Sequence, residues 1–393
     1  MIQTRRNLSI DILRGLTMLL MVFVNDFWTV LDVPHFLEHF GPQEDGMGLS
    51  DIIYPMFLFA MGMSVPLALD RRREKGCSGE ETLRHILSRT LALLVMGVFI
   101  VNAEGEISPV LGYNKGVYWM LMVIGFFLVW NAYPHGFRYK RLLRGLGIAV
   151  LLFLALTFRY PDGGYFQASW WGILGQIGWM YLFSSLAYLL CREKTWILAV
   201  LWLGFALVNL TVTPMRDGQV LVGTYLLGDF SEALHLGNGH AILMSLGGML
   251  TVLSERKLAG FRTPLRVGIG LSAAAVLAVL GAAVHAGWVV SKYFGTLPWC
   301  LYVSAISVAA YTVFRLLERY RLTGWFAPFR PAGTATLTVY MIPYFWYCFW
   351  VFFHLSIPAW LTGWTGVVKC ALFSLLCLGT AWLLDRAKIR LKI

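Results

Sequence analysis

The sequence predicts an all-α fold: a polytopic transmembrane helical bundle of about 12 spans (10–12), both termini cytoplasmic, forming one integral-membrane domain over residues 1–393. Three observations carry this expectation. Of the residues, 58% are hydrophobic and 13% charged, against roughly 45–50% and about 25% in soluble domains. The apolar excess recurs along the whole chain in runs of about 17–25 residues, the length of a bilayer-crossing helix. A transmembrane β-barrel would instead show segments of about 10 alternating residues. Finally, successive loops alternate in charge.

Taken in order, the apolar runs are 10–30, 51–69, 86–102, 117–132, 145–158, 173–191, 196–213, 240–254, 267–290, 298–314, 334–353 and 364–384. The first is too long for a signal-peptide core, lacks a small-residue cleavage site and carries Asp11, Arg14 and Asn25, so it reads as a retained helix. The runs 117–132 and 240–254 are the shortest candidates, and without both the count falls to ten. In the run 173–191 and just before it, Gly172, Gly175 and Gly178 recur at a spacing of three, which suits close helix packing. Aromatic clusters at Ser169–Trp171 and Phe345–Tyr347 fit an interfacial belt. The six cysteines form no C-x-x-C and mostly sit in apolar runs, so free thiols are expected.

The net charge of +11 does not indicate nucleic-acid binding, because the basic residues are dispersed between apolar runs. With the N-terminus inside, each inside segment holds at least two Lys or Arg. Each outside segment holds at most one, drawn from Lys115, Arg159, Arg216, Lys292 and Lys369. That is the positive-inside pattern, and one missed helix would invert every later loop. The outer face is also acidic, with Asp32, Glu38, Glu44, Asp45, Glu104, Glu106, Asp162, Asp217, Asp229 and Glu232.

Polar groups inside so apolar a chain are functional candidates. Asp11 and Arg14 lie three residues apart and share a helix face. They can equally be an interfacial ion pair that anchors the helix. Asn25 and Asp26 lie at the other end of that run, roughly 16 Å from Arg14 at the helical rise. The stretch "HFLEHFGPQEDGMGLSD" (35–51) places two histidines between the first two apolar runs. Its last residues, Ser50 and Asp51, also read as an ordinary helix N-cap. His240, His285 and His354 at outer run ends are expected to be structural.

The residues "LSIDILRGLTMLLMVFVND", a histidine-bearing loop and then "GLSDIIYPMFLFAMGMS" resemble the transmembrane acyltransferase family of heparan-α-glucosaminide N-acetyltransferase and its bacterial relatives. The resemblance is specific over 5–64, through Ser9, Asp11, Arg14, Gly15, Asn25, His39, Gly48, Leu49, Ser50, Asp51, Pro55, Phe57, Phe59, Met61 and Gly62. Beyond it, "SKYFGTLPW" (291–299) and "GTATLTVY" (333–340) are similar to later family motifs, and "DFSE" (229–232) is weakly so. Two departures stand out. The tryptophan after the family histidine is absent, and His39 precedes Asp51 by 12 residues where about 10 are expected. His39 is the better match to that histidine, and His35 is its alternative. A second family of membrane acyltransferases opens with a similar helix but carries a histidine near its end, where this chain has Asn25–Asp26.

The resemblance implies a membrane-embedded acyltransferase in the bacterial inner (plasma) membrane. It would move an acetyl (acyl) group from cytoplasmic acetyl-CoA, the co-substrate, to an amino or hydroxyl group of a saccharide on the outer face. His39 would act as general base or acyl carrier, because imidazole titrates near neutrality. Asn25 would hold substrate or the developing oxyanion, and Asp51 would orient His39. Asp11, Arg14 and Lys292 would bind substrate, with Arg71 or Arg89 as helpers at the donor end. No metal is expected. The expected partners are the acyl-CoA donor, the extracytoplasmic saccharide and the bilayer, with a homodimer left open. The rival is a twelve-span secondary transporter of a small polar or sugar-like solute. Transporters are commonly built from internal repeats, and residues 196–393 hold no counterpart of "SIDILRG".

Overall fold

The computed structural model describes residues 7–134, 136–192, 194–221 and 238–393. Among them are thirteen α-helices: α1 (Leu8–Asn25), α2 (Leu49–Glu74), α3 (Gly79–Asn102), α4 (Lys115–Trp130), α5 (Lys140–Thr157), α6 (Ile173–Cys191), α7 (Thr195–Val212), α8 (His240–Lys257), α9 (Thr263–His285), α10 (Leu297–Arg319), α11 (Arg330–Thr334), α12 (Thr336–Phe352) and α13 (Gly363–Arg386). Each predicted apolar run falls on one of these helices. Eight candidate spans are long and apolar enough to cross a membrane: α1 extended to Thr29, α2, α3, α6, α7, α9, α10 and α13. A ninth is counted if Gly324–Thr334 and Thr336–Phe352 form one span, and α4 is a shorter apolar helix. The fold is thus a helical membrane bundle with fewer qualifying spans than apolar runs.

The helix ends follow local chemistry. Asn114 caps α4 by accepting from the Val117 N–H at 3.0 Å. Pro264 and Pro298 sit in the first turns of α9 and α10, where a missing N–H costs nothing. Large apolar side chains on the outer helices stay exposed, including Leu203 at 55%, Leu207 at 63% and Val279 at 67%. Such a surface would aggregate in water and suits contact with lipid.

The chain divides into two compact units. The first comprises Met1–Thr17, Pro34–Thr90 and Gln176–Pro328. In it α2 packs against α8, α7 against α8, and α9 against α10. The α2–α8 crossing is backbone-close. A methyl group at Gly62 would strike the Ser245 carbonyl, and one at Gly248 the Phe59 carbonyl. Small residues permit this approach where apolar burial gives no net drive between helices in lipid. Beside it, the buried Ser184 and Ser245 hydroxyls bond to each other at 2.7 Å.

The second unit comprises Met18–Val33, Leu91–Gly175 and Phe329–Ile393. Here α4 packs on α5 and α12, and α12 on α13. Asn102, fully buried at the end of α3, organises the loop before α6. It accepts from Tyr160 Oη and the Gln167 N–H, and donates to the Gln167 carbonyl.

Candidate functional site

The polar stretch 35–51 folds into a compact cap in the first unit. His35–Leu37 form one 3₁₀ turn, and Ser50 Oγ donates to the Leu37 carbonyl at 2.6 Å. Asp45 pins the middle of the stretch. Its carboxylate accepts from the Val290 N–H at 2.7 Å and faces His285 Nε2 at 2.8 Å and Arg216 at 2.6 Å. Burial pushes the Asp45 pKa up, but Val290, His285 and Arg216 together hold it below the usual carboxylate value. His285, expected to be structural, thus anchors this loop.

Asp51 is the centre of the site and almost wholly buried. Its Oδ2 accepts the Gly48 N–H at 3.0 Å, closing the first turn of α2 as a capping carboxylate. The same oxygen accepts the Phe40 N–H at 3.0 Å. Its Oδ1 meets His39 Nδ1 at 2.7 Å. Because the carboxylate is an acceptor on both oxygens, Nδ1 carries the proton of a neutral ring and the lone pair lies on Nε2. The N-cap residue is thus Gly48 rather than Ser50 or Asp51; Asp51 lies three residues further on, where one side chain both closes the turn and orients His39. The Asp51 carbonyl in turn accepts from Trp299 Nε1 on α10 at 3.1 Å, which fixes the start of α2.

Lys292 completes the group. Its Nζ lies 3.0 Å from His39 Nδ1, 3.2 Å from Nε2 and 3.9 Å from Asp51 Oδ1. Near-equal distances to both ring nitrogens put the ammonium over the imidazole face, since an in-plane approach would collide with the carbon between them. Burial drives the Lys292 pKa down to about 8, against the opposing pull of the Asp51 carboxylate. The loop that carries it turns at Gly295, whose φ of +57° suits glycine. Asn209 on α7 donates to the Gly295 and Asn238 carbonyls, both at 2.9 Å. Asn238 donates to the Phe294 carbonyl and faces His240 Nδ1 at 2.6 Å. His240, read as structural from the sequence, lies in this supporting layer, with its ring 5.7 Å from that of Trp299.

The two histidines of the stretch part company. His39 is half-exposed beside Asp51 and Lys292. His35 pairs with Glu44 at 2.8 Å and stacks on Phe40, away from Asp51's hydrogen bonds. Asp11 and Arg14, in the same unit, bond to each other at 3.0 Å. Asn25 is exposed and belongs to the second unit. Asp229 and Glu232 lie outside the described residues. Among those residues, no group of three or more His, Cys, Asp and Glu side chains is placed to hold a metal ion.

Sequence reasoning missed a second polar cluster, which lies in the second unit. Asp26, with no exposed surface, accepts from Lys369 Nζ at 2.7 Å and Tyr347 Oη at 3.0 Å. Lys369 also donates to Thr29 Oγ1. The signal was present: Lys369 is an ionisable residue inside an apolar run, which calls for a buried partner.

A family model described as "Domain of unknown function (DUF5009)" matches residues 6–215. Heparan-alpha-glucosaminide N-acetyltransferase of Mus musculus is 29% identical over 151 residues, covering 34% of this chain and 22% of the mouse protein. The Homo sapiens protein of that name is 31% identical over 105 residues, covering 26% of this chain and 14% of the human one. The matched region is thus less than a quarter of either curated relative's length.

Proposed function

From the premise that this chain belongs to the DUF5009 family, and from its similarity to two N-acetyltransferases, we propose that it is a membrane-embedded acetyltransferase. In this reading, twelve spans with both termini cytoplasmic cross the bacterial inner membrane. Cytoplasmic acetyl-CoA is the donor, and an amino or hydroxyl group of a saccharide on the outer face is the acceptor.

The observation that carries the reading is the Asp51–His39 pair with Lys292 over the ring. A buried carboxylate that fixes the Nδ1 proton leaves Nε2 as the basic nitrogen of a half-exposed ring, the arrangement that general-base catalysis requires. In the transfer, the acceptor nitrogen or oxygen attacks the thioester carbonyl carbon and gives its proton to His39 Nε2. The C–S bond breaks, and the departing thiolate takes that proton from the imidazolium. Asp51 stabilises the imidazolium while it exists. The Lys292 ammonium supplies positive charge beside the carbonyl oxygen as it gains negative charge. Arg14, in the same unit as His39, contributes a cation for donor phosphates.

The test is turnover of acetyl-labelled acetyl-CoA by purified protein, with and without a glucosamine-type acceptor. The reading predicts acceptor-dependent release of CoA and its loss in His39→Ala. If CoA is neither bound nor released, or His39→Ala equals wild type, the enzyme reading fails. Accumulation of an unmodified solute in vesicles would favour the transporter instead.

A further inference from the structure

The first unit also contains a groove of about 1410 Å³ between α8, α9 and α10, separate in its lining from His39, Asp51 and Lys292. Its two ends differ in chemistry. One end is lined by Arg256, Arg262, Arg266, Arg315, Arg319 and Arg321. The remainder is mainly apolar, with Phe59, Leu250, Ile269, Ala273, Leu277 and Val308 on its walls beside Thr251, Ser304 and Thr312.

The charge at the basic end is only partly matched. Glu255 accepts from Arg315 at 3.0 Å and from Arg266. Glu318, also in the lining, accepts from Arg315 at 2.8 Å. Arg256 bonds to Asp70 at 2.7 Å. Arg262, Arg319 and Arg321 are exposed and have no side-chain partner among the described residues. Three arginines with unmatched charge thus line one end of the groove.

The length of the apolar part narrows the occupant. From Arg266 to Leu277 on α9 is 11 residues, roughly 16 Å at the helical rise. That is about half of the ~30 Å hydrocarbon thickness of a bilayer, so the groove spans one leaflet. It opens sideways, since Ile269 and Val276 on its wall are 38% and 57% exposed. A soluble anion needs no such apolar channel, and a zwitterionic lipid brings no net charge for the three arginines.

We propose that this groove binds an anionic glycerophospholipid of the leaflet at the arginine end, its phosphate held by Arg262, Arg319 and Arg321 and an acyl chain lying along α9. Guanidinium groups match phosphate oxygens in geometry as well as charge. By the positive-inside pattern, that leaflet is the cytoplasmic one. The inference is independent of the acetyltransferase reading.

The test is lipid retention by the delipidated, purified full-length protein, read by native mass spectrometry with phosphatidylglycerol and phosphatidylcholine of equal chain length. Phosphatidylglycerol should bind at least about tenfold more tightly. The triple variant Arg262→Gln/Arg319→Gln/Arg321→Gln should lose on the order of 100-fold in that binding, at about fivefold per arginine. Ala273→Phe, which fills the groove without altering charge, should weaken both lipids. Salt should weaken phosphatidylglycerol alone in the wild-type protein. Equal retention of the two lipids, or an unchanged triple variant, overturns the proposal. So does displacement of phosphatidylglycerol by inorganic phosphate or acetyl-CoA, which would mark a site for soluble anions or nucleotides.

Discussion

Replacing Asp51 by asparagine isolates the orienting role of the carboxylate from its bulk. The carboxylate presents two acceptor oxygens to three donors: His39 Nδ1–H and the Phe40 and Gly48 N–H groups. A carboxamide has one oxygen. The two backbone donors cannot turn away, so that oxygen settles on them and the amide NH₂ faces His39. His39 must then accept at Nδ1 and carry its proton on Nε2, where the acceptor proton should go. The base is lost although every heavy atom stays in place. The analogous tautomer reversal in serine proteases costs about 10⁴ in kcat. A loss of about 10³–10⁴ is therefore expected here, about 4–5.5 kcal/mol at 1.36 kcal/mol per decade. Folding should suffer less, by about 1.5–3 kcal/mol for one charge-assisted hydrogen bond. The assay is single-turnover acetyl transfer beside a thermal melt of the same preparation. A folded Asp51→Asn protein within tenfold of wild-type kcat would mean that Asp51 does not set the working tautomer of His39.

Four further outcomes are expected. His39→Ala should cost about 10²–10⁴ in turnover, whereas His35→Ala, which removes an exposed pair with Glu44 and a stack on Phe40, should stay within a few-fold when both are assayed side by side. Activity that needs the Lys292 ammonium should fall as pH rises through about 8, and Lys292→Arg, whose charge persists, should remove that alkaline limb from the pH profile. Because Asp45 titrates below its ordinary value when folded, its contribution to stability is present above about pH 4 and is lost as pH falls through the lowered value; melts from pH 6 to pH 2 on wild type and Asp45→Asn should converge at the acid end. Breaking the buried Asp26–Lys369 pair by Lys369→Met should destabilise by about 3–5 kcal/mol, and the double change Asp26→Asn/Lys369→Met should recover much of it, as measured by chemical denaturation in detergent.

What could be foreseen depended on the range of the interaction. Apolar runs needed only neighbouring residues, so each of them falls on a helix, and the differences lie at the helix ends and in how many helices are long and apolar enough to span. The run 86–102 begins at Gly79 in the structure because helix continues through Glu80, Glu81 and Arg84, which solvent can satisfy. The stretch Gly324–Thr334, which the sequence places in an inside loop before the run 334–353, is helical, bent by 76° from α12. His39 and Asp51 lie on one loop-to-helix entry, so their partnership could be suspected from spacing. Lys292 entered only through a motif, being 253 residues from His39. Asp26 and Tyr347, 321 residues apart, share no local pattern at all. The same holds for Asp45 and His285, whose pairing depends on how α9 ends against the loop.

Transfer of an acetyl group between the two sides of a membrane is decided by a measurement of sidedness. Purified protein is placed in oriented proteoliposomes, with acetyl-labelled acetyl-CoA on the face of its Arg-rich loops and a membrane-impermeant glucosamine-type acceptor on the face of His39. Labelled acceptor is expected on the His39 face, with free CoA retained on the other, and neither change with His39→Ala. Acceptor crossing unmodified, or label appearing only on the side where acetyl-CoA was added, would contradict it.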